Sequence, residues 1–298
     1  MKTKNIIFIC LLLIIGFTSC EPYEDYLVDY DYSAVYFATQ KPLRTVVSYD
    51  EMEFKVGVAL GGKRENNAEE YAEFEIDPSL LEDEGLMEGN DFNLLPSSYY
   101  SLSDDSRMIV PEGEFIGDVT VSLNKEAFTS DSLATENVYA LPIRITGTSV
   151  DTVLADKAYT ILVVKYISEY DGTYYHKGIQ SELDSTGVVM NEIIYSHEDL
   201  IDNETWNVST VNARTIKTPA VGIFDNGNLL LEVNTDNSVK ITSGKSNIEV
   251  TSQSGSYNSE NRNFYLNYSF IRGQTEYDVK DTLILRQAPE KDLFFEEW

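Results

Sequence analysis

The residues of this chain that could do chemistry are mostly aromatic or acidic. It holds 20 Tyr, 13 Phe and 2 Trp beside 50 Asp and Glu. A sugar ring has apolar C–H faces that stack on Tyr or Trp, and its polar edges stay free for hydrogen bonds. Trp206 stands in Glu204-Thr205-Trp206-Asn207, among side chains that can bond hydroxyls. The adjacent pairs Tyr99-Tyr100 and Tyr174-Tyr175 place one ring on each face of a strand. Trp206, Tyr174, Tyr175, Tyr99 and Tyr100 are therefore the candidate glycan-binding residues. The competing role for each ring is packing, because Tyr favours strands and is often half-buried with a wet hydroxyl.

Two carboxylates about 5 to 9.5 Å apart could also hydrolyse a glycosidic bond. With 50 acids, chance pairs are inevitable, and Glu82-Asp83-Glu84 and Glu296-Glu297 read as solvated faces. The two histidines, His176 and His197, form no His-x-x-x-His spacing, and no Gly-x-Ser-x-Gly elbow is present. No metal site, catalytic residue or cofactor is expected. Asp225-Asn226-Gly227 reads as a turn rather than a calcium loop.

Residues 1–19 combine Lys2 and Lys4, an apolar run from Ile6 to Ile15 and small residues before Cys20. This is the pattern of a secretory leader, and its apolar run is shorter than the roughly 20 residues a membrane span needs. Small residues ahead of Cys20 resemble a lipobox, which makes Cys20 the expected lipidation site. Loss of the leader removes Cys10, so no internal disulfide can form. It also takes the net charge from −28 to −30. Such a surface repels phosphate backbones, which excludes nucleic acid as a partner. It also repels anionic headgroups, so the membrane contact would be the lipid anchor alone.

Residues 20–32 are acidic and Tyr-rich and read as a tether. From Ser33 the hydrophobic pattern has period two, as in Phe54, Val56, Val58 and Leu60, then Val119, Val121 and Leu123. Asp77-Pro78 opens the one clear short helix. Residues 158–166 are apolar on both faces and read as a fully covered strand. The spacing predicts a β-sandwich over 33–167. After a boundary near residue 168, strands are expected at 173–176, 188–195, 205–211, 229–233, 239–242, 248–251, 264–270 and 277–285. Joined by short turns, these would close an antiparallel β-barrel over 168–298.

Several segments in order resemble a known family. They are Val35-Tyr36-Phe37, Tyr139-Ala140-Leu141-Pro142-Ile143, Tyr170-Asp171-Gly172-Thr173-Tyr174 and Asp281-Thr282-Leu283-Ile284-Leu285-Arg286. The chain resembles two-domain lipoproteins of Bacteroidetes polysaccharide-utilisation loci, with domains of unknown function 1735 and 4361. That resemblance implies an Ig-like N-terminal sandwich, a β-rich C-terminal domain and a surface lipoprotein of the outer membrane. Glu21, Glu24 and Asp25 loosely fit the acidic surface-export signal of such proteins. Gly172-Thr173-Tyr174 is similar to the Gly-x-Trp opening of lipocalin-like barrels, which implies that Arg286 packs across Tyr174 to close the barrel end. The function so implied is non-catalytic binding of oligosaccharide or polysaccharide, for an outer-membrane importer or a hydrolase as partner. A glycoside hydrolase and a structural or adhesin-like surface protein are the alternatives.

Overall fold

The structure, a computed structural model, describes Tyr30 and residues 32–298. The expected leader, Cys20 and most of the tether lie outside the described residues. The chain is all-β, as the alternation predicts. In its first half a five-stranded and a seven-stranded sheet share one apolar core. Val35, Val58 and Val121 enter it from the first sheet; Phe74, Leu141 and Tyr166 enter from the second. Each such buried side chain stabilises the fold by about 1.5–3 kcal/mol.

The strand Tyr159–Ile167 shows why its sequence is apolar on both faces. Leu162, Val164 and Tyr166 point into the main core, while Ile161 and Val163 pack beneath Leu80, Met87 and Trp298. The short helix that covers it spans Pro78–Leu81, and Asp77 caps it by accepting from the Ser79 amide.

The second half closes on itself. Eight strands form the ring: Gly172–Leu183, Glu204–Asn212, Thr215–Lys217, Leu229–Val233, Ser238–Ser243, Ile248–Asn258, Asn263–Arg272 and Thr275–Gln287. The first and last pair along their length, from Thr173 with Gln287 to Leu183 with Glu276. Closure leaves the ring without exposed edges. One expected wall strand falls elsewhere. Val189–Ile194 pairs only with the first barrel strand and stands outside the ring, and Thr215–Lys217 takes the place in the wall. Three residues were too few to show an alternation. The Asn-Gly pair at 226–227 likewise lies in a longer connection between Thr215–Lys217 and Leu229–Val233, not in a tight hairpin.

The closing cation differs from the one expected. Leu283 and Leu285 face the barrel core, so the pleat turns Arg286 to solvent. Arg262, on the turn between the strands Ile248–Asn258 and Asn263–Arg272, is the cation at this end of the barrel, 5.8 Å from the centre of the Tyr49 ring. It also ties the two halves together. Its guanidinium donates to the Glu169 carbonyl and, at 3.2 Å, to the Tyr49 hydroxyl. Tyr49 in turn donates to Glu290 at 2.6 Å. The C-terminal segment then runs back to the first half. Glu296–Glu297 pairs with Pro42 and Leu43, and the Trp298 indole donates to the Ile161 carbonyl at 2.6 Å.

Candidate functional site

The barrel takes two of the five predicted aromatic residues out of solvent. Trp206 and Tyr174 face each other across neighbouring strands, at 2 and 0% exposure. Trp206 stacks on His176 with ring centroids 3.5 Å apart. The Tyr174 hydroxyl donates to the Tyr170 carbonyl at 2.9 Å. Neither ring offers a face to a dissolved ligand. Tyr175, the next residue, is half-buried on the outer wall beside Thr205 and Ile284. In the first half, Tyr99 and Tyr100 are half-buried against the main core. Tyr99 packs edge-on against Phe128 and Tyr139, and its hydroxyl donates to Asp131 at 3.0 Å. The structure does not bring these five residues into one site.

The barrel interior holds a polar cluster that the sequence did not single out. The buried Asp281 carboxylate accepts from His176 Nε2 at 3.0 Å, from Tyr268 at 2.8 Å and from Tyr195. Tyr268 in turn accepts from the Gly222 amide at 2.9 Å. Gly178 makes room for it: a Cβ there would sit 2.5 Å from an Asp281 oxygen. Burial, then the Asp281 charge, push the Tyr195 and Tyr268 hydroxyls far above the usual phenol range. Three donors satisfy the carboxylate, while the Nδ1 of His176 is buried without a hydrogen-bond partner. None of the clefts described below is lined by Asp281 or His176.

Two of the surface clefts among the described residues are candidates. The larger, about 400 Å³, lies where the two halves meet the C-terminal segment. Thr45 and Lys165 line it from the first half and Thr173 and Asn207 from the barrel, yet no aromatic ring does. Its Asp171 carboxylate is already held by the Thr210 amide and hydroxyl, and burial raises its pKa above the usual carboxylate value.

The second cleft, about 290 Å³, is lined by Tyr30, Tyr32 and Tyr36 together with Lys157. Tyr36 ends the strand Ala34–Tyr36, which pairs with Glu53–Gly61 on one side and with Thr152 and Val153 on the other. The residues before it are held by three ties. The Tyr30 amide donates to the Gly62 carbonyl at 3.1 Å. The Ser33 amide and hydroxyl both donate to Asp151, at 2.8 and 2.7 Å, and hold that carboxyl below its usual range. Gly62 itself has φ +84°, and a Cβ there would lie 2.2 Å from the Tyr32 carbonyl oxygen. Only glycine lets the tyrosine segment cross so closely. Tyr30 and Tyr32 remain 78 and 54% exposed, and the Lys157 ammonium stands 5.3 Å from the centre of the half-buried Tyr36 ring. The arrangement offers aromatic faces beside a cationic donor.

Sequence reasoning assigned Tyr30 and Tyr32 to the tether and gave Tyr36 no role. The signal available was the Tyr-x-Tyr alternation running into the first strand. Nothing local connects it with Gly62 or Lys157.

Two family models match the chain, one of an N-terminal domain over residues 30–152 and one of a C-terminal domain over residues 158–284. The two matched stretches fall on the two halves of the fold. A Bacteroides ovatus protein of unknown function shares its fold, with a TM-score of 0.75 at 22% identity, over 91% of this chain and 98% of that one. A multidomain Bacteroides ovatus protein that includes domain of unknown function 1735 aligns over 90% of this chain and 100% of its own, at 13% identity and a TM-score of 0.43. A candidate carbohydrate-binding protein from Bacteroides ovatus aligns over 70% of this chain and 67% of its own, at 14% identity and a TM-score of 0.34. No curated protein matches the sequence.

Proposed function

We propose that this protein binds glycans without cleaving them, and that the cleft of Tyr30, Tyr32, Tyr36 and Lys157 is where a sugar stacks. One observation carries the proposal: this cleft combines several aromatic rings open to solvent with a charged donor. The larger cleft has polar and aliphatic lining but no aromatic ring. Tyrosine buries its ring face on an apolar surface and keeps its hydroxyl available, which suits the two sides of a pyranose. Affinity for one such cleft should be modest, since a polar ligand must give up its water. Non-catalytic binding fits the surroundings of two carboxylates. Asp281 is buried and holds three internal donors, and the half-buried Asp171 is engaged by the Thr210 amide and hydroxyl.

The leader pattern and Cys20 place the protein, in this proposal, on the outer membrane by a lipid anchor facing outward. The first half, as an Ig-like sandwich, would then present the cleft close to the tether. The test is a glycan array on the chain from Glu21 onward, followed by titration of any hit against Tyr32→Ala, Tyr36→Ala and Lys157→Ala. We expect each tyrosine variant to bind at least several-fold more weakly. Silence across the array, or full affinity in both tyrosine variants, would remove the cleft from consideration.

A further inference from the structure

The strand Val189–Ile194 lies on the rim of the barrel but outside its ring. The first barrel strand, Gly172–Leu183, is covered on one side by Thr275–Gln287. On its other side Glu204–Asn212 reaches only as far as His176, and Val189–Ile194 pairs with Ile179 to Leu183. Val189–Ile194 has no second strand neighbour among the described residues, so its outer edge presents unpaired backbone N–H and C=O groups. A strand packed on a core alternates between buried and exposed. Here all six residues are exposed.

The exposed side chains are nevertheless apolar. Val189, Met190, Ile193 and Ile194 are between 39 and 67% exposed, and Ile201 in the following loop is 75% exposed. An open, apolar edge invites strand addition, and proteins usually blunt such edges with Lys or Pro. From Glu182 to Glu204 there is no Lys, Arg or Pro, and there are seven acids. Lys177, just before this stretch, donates to the His197 carbonyl.

We infer that Val189–Ile194 is a docking edge for a partner protein, which adds one β-strand carrying apolar side chains and flanking Lys or Arg. Backbone bonds along the free edge would give the affinity, and the acidic surround would select the partner's charge. That surround also argues against a second copy of this chain. Pairing two of these edges would bring Glu192 and the flanking acids of both copies together, and like charges brought close across strands are destabilising.

The probe is a synthetic peptide of alternating Val and Lys, titrated against the chain from Glu21 onward. Its partners in the assay are the same peptide N-methylated at every residue, which has no backbone N–H to donate to an edge, and a Val–Glu version. The expected result is binding of the Val–Lys peptide only. The double substitution Met190→Asp with Ile194→Asp should lower its affinity at least tenfold at an unchanged melting temperature. Both side chains are more than half exposed, so the barrel should tolerate the change. Ile201→Asp provides a second variant outside the strand and should weaken binding less. Equal binding of the N-methylated peptide would reduce the effect to bulk charge and overturn the inference. So would full affinity in the double variant. A dimer of the unmodified chain that the double variant dissociates would identify a second copy as the occupant, and would overturn it as well.

Discussion

Trp206 and Tyr32 are both rings with acidic neighbours in sequence, yet one is 2% exposed and the other 54%. Their surroundings explain the difference. Trp206 sits on a strand of a closed ring, where one face of every strand must fill the interior. It stacks on His176, which is bonded to Asp281, so an aromatic and a polar network lock one another. Tyr32 lies just before the first strand of the other half, on a segment laid over Gly62 at the sheet margin. No second layer covers it. Aromatic content alone therefore does not mark a binding surface here.

The comparison predicts opposite responses to substitution. The largest effect should come from Trp206→Ala, which empties the barrel core and should cost about 3–5 kcal/mol. Urea unfolding followed by far-ultraviolet dichroism measures it, and a loss under about 1 kcal/mol would place Trp206 in a less essential environment than its burial implies. Asp281→Ala should follow at about 3 kcal/mol, because the buried His176 and Tyr268 and the half-buried Tyr195 would lose their acceptor. Binding at the tyrosine cleft should survive both changes wherever the protein stays folded.

Alkaline pH should act more gently, and through both halves. The hydroxyls of Tyr49 and Tyr170 are pushed up to about 12, first by burial; that of Tyr139 is pushed up to about 12 first by its hydrogen bond to Asp131. Each group's folded pKa lies above its unfolded value near 10. The stability it contributes is thus complete below pH 10 and is lost as pH rises toward 12. Ultraviolet titration of phenolate alongside denaturant midpoints would show this. A stability flat across that window would contradict it.

The smallest effect on stability, under about 0.5 kcal/mol, should come from Tyr32→Ala, because surface changes away from packed features cost little. The same variant should show the clear loss of glycan affinity. A large destabilisation without loss of binding would reverse the assignment of roles.

The strands were legible because period-two alternation is local: Phe54, Val56, Val58 and Leu60 need only one buried face to declare themselves. The Asp77-Pro78 opening of the short helix was legible for the same reason. Thr215–Lys217 was not, because three residues carry too little pattern. Arg286 was misplaced because the pleat, not the spacing from Tyr174, decides which way a side chain points.

By itself the sequence determined an all-β chain in two halves with strongly acidic surfaces, since alternation and charge follow from residue order alone. The tertiary structure decided which rings are hidden. Closing the ring between Gly172–Leu183 and Thr275–Gln287 turned Trp206 and Tyr174 inward and excluded Val189–Ile194. Tyr36 met Lys157, more than a hundred residues away in the chain, only because two sheets folded over one core. Such contacts depend on which distant strands become neighbours, and no local pattern encodes that choice.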